Sequence, residues 1–184
     1  MILLQLGFMK KQKLYQYIKY IIINILIAAI ISILMVRYVV SAYKIEGNSM
    51  NSVLINQERI LISKLAVKKG DFERFDIVVF RKLGEPGKTV IKRVIGLPEE
   101  IIEIRDGDVY IDSKKLDQPF LEDEKNTGSR DSAPLLIRKE HYFLMGDNRM
   151  VSRDSRDFGE IPLGYFYGKA IFKYWPLSRF GKIE

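Results

Sequence analysis

The sequence predicts a mainly β protein, in which an antiparallel β-rich domain follows one N-terminal transmembrane helix. Three observations support this fold class. A long apolar run occupies residues 20–40, a series of short β-rich runs begins after residue 41, and Gly and Pro residues separate those runs. Helical periodicity is scarce outside the apolar run, so the body of the chain is expected to consist of strands.

The first element is the apolar run itself, in which Asn24 and Ser32 are the only polar residues between Tyr20 and Val36. About 20 residues at ~1.5 Å each cross a hydrocarbon core of about 30 Å. We therefore predict a membrane anchor helix at residues 20–40. Because four lysines lie in the preceding tail, residues 1–19, the positive-inside rule places the N-terminus in the cytoplasm. The domain from 41 to 184 is then extracytoplasmic, and the protein is a single-pass protein of the cell membrane.

Two alternatives concern this N-terminal region. Val40-Ser41-Ala42 resembles the small-residue cleavage site at the end of a secretory signal peptide. The apolar run exceeds the ~7–15 residues of such a signal, which favours a retained anchor. Met9, which two lysines follow, is an alternative start of translation to Met1.

Composition restricts the classes of function. The chain has 184 residues, 47% of them hydrophobic, and no cysteine, so disulfides, thiolate zinc sites and a cysteine nucleophile are excluded. The net charge is +7, but residues 1–40 hold five basic residues and no acidic ones. The remainder is nearly balanced, with 25 basic and 23 acidic residues, which argues against nucleic acid as a partner.

The later elements are short strands. We predict them at 59–65, 75–81, 89–95, 101–105 with 109–111, 141–145 and 165–174. Asp106-Gly107 is a strong hairpin signal between two of them. Residues 113–140 are rich in charge, Ser and Pro, and are predicted to form a long loop excursion.

Three stretches carry residues suited to chemistry. "EGNSMNSVL" places Ser49 in a turn, which is either a simple turn former or an exposed nucleophile. "TVIKRVIG" places Lys92 and Arg93 on opposite faces of a predicted strand, where a lysine is either a surface cation or a desolvated base. "GDNRMVSRDSRDFG" alternates Asp and Arg, as expected of a loop that internal ion pairs hold in place.

Other catalytic arrangements fit less well. The single histidine, His141, begins a predicted strand and is more typical of a structural residue than of a triad. Ser41-Ala42-Tyr43-Lys44 matches the S-x-x-K pattern, but the motifs that accompany that pattern in penicillin-binding enzymes are absent. No metal and no cofactor are expected, since a zinc site here would need carboxylates for nearly every ligand. A serine activated by a lysine remains.

At this point the chain resembles a bacterial type I signal peptidase with a single N-terminal membrane anchor, a serine protease with a Ser/Lys dyad. Four segments carry the resemblance in order: "GNSMNSVL", "RFDIVVF", "KRVIGLPEE" and "GDNRMVSRDSRDFG". It covers the anchor and nearly all of residues 41–184. It implies a membrane-bound endopeptidase that removes N-terminal signal peptides from exported precursors with small residues before the cut. The lipid bilayer is the other expected partner, and a monomer is expected.

The resemblance also implies residue roles. Ser49 is the expected nucleophile, its backbone N–H an oxyanion donor, and Lys92 the general base. Ser152 is expected to orient the lysine amine. The expected structural support of the site is Gly146, Asp147, Asn148, Arg149, Asp154 and Arg156. Ile45 and Met50 are guesses for residues that line the substrate pockets.

The chain departs from the family pattern at several positions. Ser52 and Val53 follow the nucleophile where the family usually has Pro and Thr. Phe75 stands where a glycine is common, Glu99-Glu100 replaces the usual Gly-Asp, and Gly47 lacks the hydroxyl that assists the oxyanion in some relatives. An alternative function is therefore a catalytically weakened relative that acts as a membrane-anchored binding module.

Overall fold

A computed structural model describes residues 2–51, 53–70, 72–121 and 130–183, with side chains from residue 14 onward. The chain divides into two compact units, Met1–Val39 and Val40–Glu184, and each is described by itself.

The first unit is a single helix, α1 (Ile2–Tyr38). Its segment Leu14–Tyr38, 25 residues long, has the length and composition of a membrane span. The helix ends two residues before the predicted end of the anchor, because Val40 already begins a strand. The helical backbone also extends into the predicted tail. Met1 lies outside the described residues, so a start of translation at Met1 or Met9 stays a prediction. The described side chains also exclude those of Lys10, Lys11 and Lys13.

The second unit consists of short strands with few helical turns, which confirms the predicted fold class. The strands are β1 (Val40–Lys44), β2 (Arg59–Ser63), β3 (Ile77–Arg81), β4 (Thr89–Gly96), β5 (Ile101–Arg105), β6 (Asp108–Ile111), β7 (Lys114–Lys115), β8 (Ser132–Leu136), β9 (His141–Met145), β10 (Ile161–Pro162), β11 (Phe166–Trp175) and β12 (Gly181–Lys182). The helices are α2 (Leu65–Lys69) and α3 (Ser155–Phe158), with 3₁₀ turns at Leu163–Tyr165 and Leu177–Arg179.

Two antiparallel sheets hold these strands. The larger has the order β1-β2-β11-β3-β4-β9-β10, with β12 paired to β11, and the smaller has the order β7-β6-β5-β8. β11 is the longest strand and joins the N-terminal strand pair to β3 and β4. Consequently the residues before Ser49 and the strand that carries Lys92 belong to one sheet.

The predicted loop excursion at 113–140 is partly wrong. It contains β7 and β8, and β8 pairs with β5 so that Ile101 lies opposite Leu136. β8 reads as a loop in sequence because Pro134 interrupts it and most of its side chains are exposed, which removes the alternating pattern of a half-buried strand. Residues 122–129 of the excursion lie outside the described residues.

Apolar side chains from the larger sheet and from the segment after β1 form one of the core clusters. It contains Ile45, Met50 and Leu54 together with Ile60, Ile62, Ile77, Val79, Ile91 and Ala170. The segment that carries Ser49 is therefore anchored by buried residues on both sides of the serine.

Candidate active site

Strand β4 presents two buried cations on its two faces. Lys92 is 3% exposed and Arg93 is 1% exposed, and β4 pairs with β3 so that Lys92 lies opposite Val78 and Arg93 opposite Ile77. Successive side chains of a strand point to opposite faces. The surface-strand interpretation of "TVIKRVIG" is thus wrong, since neither cation reaches solvent.

Ser49 lies in the turn that follows β1. Before it, Ile45 continues the pairing with the segment that leads to β2, because its N–H donates to Glu58 O at 2.8 Å. Gly47 has φ +92°, a left-handed conformation that favours glycine, and its N–H donates to Asn56 Oδ1 at 3.1 Å. The carbonyl of Ser49 accepts the N–H of Asn148 at 3.0 Å.

The two predicted catalytic side chains meet. Lys92 Nζ lies 2.7 Å from Ser49 Oγ and 3.0 Å from the carbonyl oxygen of Ile91. Burial lowers the pKa of Lys92 to about 8, although Asp154 and Asp147 act to raise it. A neutral amine in this position has N–H groups for the Ile91 carbonyl and a lone pair that can accept the Ser49 hydroxyl proton.

Ser152 is fully buried, and its N–H donates to Asn148 O at 3.0 Å. Within the described part of the chain, its hydroxyl makes no well-aligned hydrogen bond to Lys92 or to another group, although it lies near enough to Asp154 to help lower the pKa of that carboxyl. The predicted role of Ser152 in orienting the amine therefore stays a prediction.

Gly146 explains how these groups come so close. A Cβ atom at this position would lie 2.2 Å from Ser152 Oγ and 2.5 Å from Ser49 O, well inside van der Waals contact. Any larger residue would displace the segment that carries Ser49 or would displace Ser152. Glycine is therefore required here for close approach of two backbone segments.

The loop after β9 is held by two buried ion pairs. Arg93 Nε and Nη2 donate to the two carboxylate oxygens of Asp147 at 2.9 and 2.8 Å. Arg156 makes the same two-pronged contact with Asp154, at 2.9 Å to each oxygen. These bidentate pairs fix both position and orientation of the loop.

Asp154 also connects the loop to other elements. It caps α3 by accepting the N–H of Arg156, and it accepts the N–H of Gly146 at 3.0 Å. Burial works to raise the pKa of Asp154, but the Arg156 guanidinium and the Gly146 N–H outweigh it and hold that pKa below its usual value. These contacts fit the structural support that the sequence predicts for Asp154.

Arg149 and Asn148 complete the support. Arg149 Nε donates to Gly146 O at 3.1 Å, and burial, with the nearby Arg156, lowers the pKa of Arg149 to about 10. Asn148 Nδ2 donates to Asn48 O at 3.2 Å, next to its backbone contact with Ser49. The structure thus brings together the predicted support residues around the Ser49–Lys92 contact.

Ile45 and Met50 are placed in the core, and each is only 1% exposed. Contact with a substrate would require these side chains to be uncovered, so their suggested place in the substrate pockets stays a prediction. His141 lies at the start of β9 with Nδ1 2.9 Å from Lys139 O, a structural contact outside the Ser49–Lys92 group.

Sequence reasoning missed an aromatic residue of the excursion. The ring of Phe120 lies 4.1 Å from the Arg93 guanidinium and packs edge-on against Phe75. Phe75 itself has φ +75°, and its carbonyl accepts Arg93 Nη1 at 2.9 Å. Phe75 keeps the left-handed conformation of the glycine that is common there, and the only sequence signal for the contact was the unusual aromatic residue at that position.

The departure from the family pattern at Glu99-Glu100 is also compatible with the backbone. Glu99 has φ +69°, so it keeps the left-handed conformation suited to the usual glycine. Glu100 accepts the N–H of Leu97 at 2.8 Å and pairs with Arg74. The turn after β4 is therefore formed despite both substitutions.

Among the described residues, one edge of β4 has no strand beside it near Lys92. β3 pairs with β4 from Thr89 to Arg93, whereas β9 pairs with it only from Arg93 onward. Across this gap, Thr89 Oγ1 donates to Tyr43 Oη at 3.2 Å. The segments 43–49 and 89–92 therefore run in the same direction, in contact at both ends.

Comparison with known proteins identifies a family and similar relatives. The family "Signal peptidase, peptidase S26" matches residues 16–175. The chain is similar to signal peptidase IB of Staphylococcus aureus, with 33% identity over 86% of this chain and 90% of the relative. It is similar to signal peptidase I P of Bacillus subtilis subsp. natto, with 35% identity over 92% of this chain and 94% of that one. A crystal structure of a signal peptidase I from Enterococcus faecalis V583 aligns with a TM-score of 0.48 and 32% identity, over 54% of this chain and 96% of that one.

Proposed function

The chain belongs to the signal peptidase I family, peptidase S26, and on that premise we propose that it is a membrane-anchored serine endopeptidase that removes N-terminal signal peptides from exported precursors. The observation that carries the proposal is the 2.7 Å contact between Lys92 Nζ and Ser49 Oγ, together with the burial of Lys92. A nucleophile within hydrogen-bond reach of a desolvated base is the arrangement that acyl transfer requires.

The proposed reaction begins with neutral Lys92. As Ser49 Oγ attacks the scissile carbonyl carbon, its proton passes to Lys92 Nζ and the carbonyl oxygen takes up the negative charge. The backbone N–H of Ser49 is the proposed donor to that oxyanion; Gly47 offers no side-chain donor, so backbone or water supplies the rest. The protonated amine then gives its proton to the leaving nitrogen as the C–N bond breaks.

The second half of the reaction returns the enzyme to its first state. Lys92, neutral again, takes a proton from a water molecule that attacks the acyl-Ser49 ester. Collapse of the tetrahedral intermediate breaks the bond to Ser49 Oγ, which regains a proton from Lys92. The signal peptide leaves with its new carboxylate.

The open edge of β4 supports a binding mode for the precursor. An extended peptide placed between 43–49 and 89–92 would pair with backbone groups on both sides, in the manner of strand addition. Small side chains before the cut suit a groove whose neighbours, such as Ile45, are already packed into the core. We propose that precursors with small residues at these positions are the substrates.

Membrane topology is part of the proposal. α1 would anchor the enzyme, with the lysine-rich N-terminus in the cytoplasm and the β domain outside. The alternative of a weakened relative that only binds has no support from Phe75 or Glu99, two of the departures that the structure describes. Phe75 and Glu99 keep left-handed backbone conformations, and Ser49 and Lys92 remain in contact.

The test is cleavage of a precursor peptide by the full-length protein in lipid vesicles. We expect Ser49→Ala and Lys92→Ala each to lower kcat by about 10³-fold or more, since each removes a reacting group. Ser132→Ala, in β8, and Lys169→Ala, in β11, are matched controls outside the site and should retain activity. Absence of cleavage by the wild type, or wild-type rates in the two site variants, would refute the protease function.

A further inference from the structure

A second buried charge cluster, unused by the proposed chemistry, lies beside the turn that follows Ser49. It consists of Glu58, Lys173 and Arg179, and we call it the brace. Glu58 is 3% exposed and Lys173 is 8% exposed, whereas the Arg179 side chain is 31% exposed. Glu58 directly precedes β2, Lys173 lies in β11, and Arg179 lies in the 3₁₀ turn near the C-terminus. Nothing in their sequence spacing indicates that they meet.

The members of the brace are paired with one another. Arg179 Nη1 lies 3.0 Å from Glu58 Oε1, and Lys173 Nζ lies 3.7 Å from Glu58 Oε2. Two cations thus share one buried carboxylate; Lys173 is also buried, and Arg179 is partly exposed. Burying such charges carries a desolvation cost that hydrophobic residues would avoid, so the cluster is a poor source of stability. We therefore ask which groups it holds in position.

The cationic members hold the nucleophile segment at one carbonyl. Lys173 Nζ and Arg179 Nη2 both donate to Val53 O, at 3.0 and 3.1 Å. Glu58 holds the next turn of the chain, because its Oε2 accepts the N–H of Ile55 at 2.9 Å. Three charge-assisted hydrogen bonds therefore fix two backbone groups within six residues of Ser49.

This attachment reaches Ser49 through local backbone bonds. Leu54 N–H donates to Met50 O at 2.9 Å, so the fixed residues 53–55 are tied to the residue after the nucleophile. On its other side, Ser49 O accepts the N–H of Asn148. The nucleophile is therefore held from both sides, by the loop after β9 and by the brace.

We infer that Glu58, Lys173 and Arg179 are positioning residues that keep Ser49 Oγ within reach of Lys92. In the usual family pattern a proline after the nucleophile restricts this turn. This chain has Ser52 and Val53 there instead, of which Ser52 lies outside the described residues, and the brace would restrict the turn in place of the proline. The inference rests on the proposed function, and it assigns the brace to the placement of the nucleophile rather than to proton transfer or substrate contact.

The test compares Lys173→Met, Arg179→Met and Lys173→Arg with Lys169→Met in the full-length protein. Lys169 lies on the same strand but pairs with Asp76, so it is a matched control. We expect Lys173→Met to lower kcat by about 10- to 100-fold with KM changed less than twofold, because misplacement of a reacting group lowers the rate more than binding. Lys173→Arg should restore most of the loss, Arg179→Met should give a smaller loss, and Lys169→Met should give none.

Backbone hydrogen exchange supplies a readout that does not depend on cleavage. Amides at 53–58 should exchange faster in Lys173→Met than in the wild type, while amides of β4 stay unchanged. Unchanged exchange at 53–58, or a kcat within twofold of the wild type in both Met variants, would overturn the inference. If Lys173→Met does not fold, the less buried Arg179→Met decides by the same criteria. A wild type that cleaves nothing would refute the proposed function instead, and exchange would still decide whether the brace holds the segment.

Discussion

Lys92 and Arg93 are neighbours on β4 and are buried to nearly the same degree, yet they occupy opposite electrostatic environments. Arg93 faces a carboxylate that it grips with two nitrogens, an aromatic ring and the carbonyl of Phe75. Lys92 faces a serine hydroxyl and its neighbour's carbonyl, with no carboxylate within ion-pair distance among the described residues.

The difference shows that burial alone does not decide what a cation does. A guanidinium stays charged under almost all conditions and therefore needs a partner when buried. An amine can respond to burial by losing its proton, and the pKa of Lys92 falls to about 8. The face with a carboxylate is suited to structural support, and the face without one is suited to a base.

Removal of the carboxylate on the Arg93 face should have the largest effect. Asp147→Ala leaves a buried guanidinium without its partner, which is expected to lower the free energy of unfolding by about 3–5 kcal/mol. Denaturant unfolding in detergent micelles measures this loss in the free energy of unfolding. Asp108→Ala, which breaks the exposed pair with Lys115, is the control and should cost under ~1 kcal/mol. A loss of the same size in both variants would contradict the structural role of the buried pair.

On the Lys92 face the next largest effect should appear in the pH dependence of cleavage. Only neutral Lys92 can accept a proton, and its pKa is about 8. Well below that pH, kcat/KM should fall by about tenfold per pH unit, which amounts to about 50-fold between pH 8 and pH 6. Initial rates with a precursor peptide measure the profile. A rate that stays flat down to pH 5 would argue against a lysine base.

Replacement of the amine should stabilise the protein at neutral pH. The folded-state pKa of Lys92 lies below the usual lysine value of 10.5, so the folded protein binds fewer protons than the unfolded chain between about pH 8 and 10.5. Wild-type stability should therefore rise with pH through that window. Lys92→Met removes the cost of the protonated amine and should raise the free energy of unfolding at pH 7 by about 1–3 kcal/mol.

The comparison of unfolding at pH 7 and pH 10 checks this prediction. The advantage of Lys92→Met over the wild type should shrink at the higher pH, where the amine is neutral in the folded protein. If Lys92→Met exceeds the wild type in free energy of unfolding by the same amount at pH 7 and pH 10, the stabilisation comes from packing rather than from the loss of a charge.

The smallest effect is expected from the ring beside Arg93. Phe120→Leu keeps apolar bulk but loses the cation–π contact and the edge-on contact with Phe75, at a cost of about 1 kcal/mol in stability. Because Arg93 points away from the dyad, the pH at which activity is half-maximal should not move. Phe180→Leu, which loses only a ring contact with Phe172, is the control. A shift of the pH profile in Phe120→Leu would show that the two faces are coupled.

The sequence was sufficient to select Ser49 and Lys92, which the structure brings within 2.7 Å of each other, while their catalytic roles stay a prediction. The alternation within "TVIKRVIG" separated Lys92 from Arg93, and the Asp and Arg residues of the loop after β9 were expected to pair, as Asp154 and Arg156 do. Most strand positions were also predicted to within two residues, since apolar runs bounded by turn residues are a local signal.

The brace and the Phe120 contact were beyond sequence reasoning for a physical reason. Glu58 and Lys173 are more than a hundred residues apart, and only the pairing of β11 with β2 brings them together. Each looks like an ordinary charged residue beside a strand. Likewise, β8 has too few buried side chains to show a period, so it was assigned to the excursion.

The alternation of Lys92 and Arg93 has a consequence for how this gene can change over generations. Substitutions in the turn between β3 and β4 alter one side chain each and leave both cations in place. A one-residue insertion or deletion in β4 before Lys92 moves both cations to the other face, because every following side chain shifts by one position. A deletion would put a permanently charged guanidinium beside Ser49, and an insertion would put an amine against Asp147. Lineages of this enzyme are therefore expected to tolerate length changes in the turn that joins β3 to β4 and to lose activity when the length of the strand itself drifts.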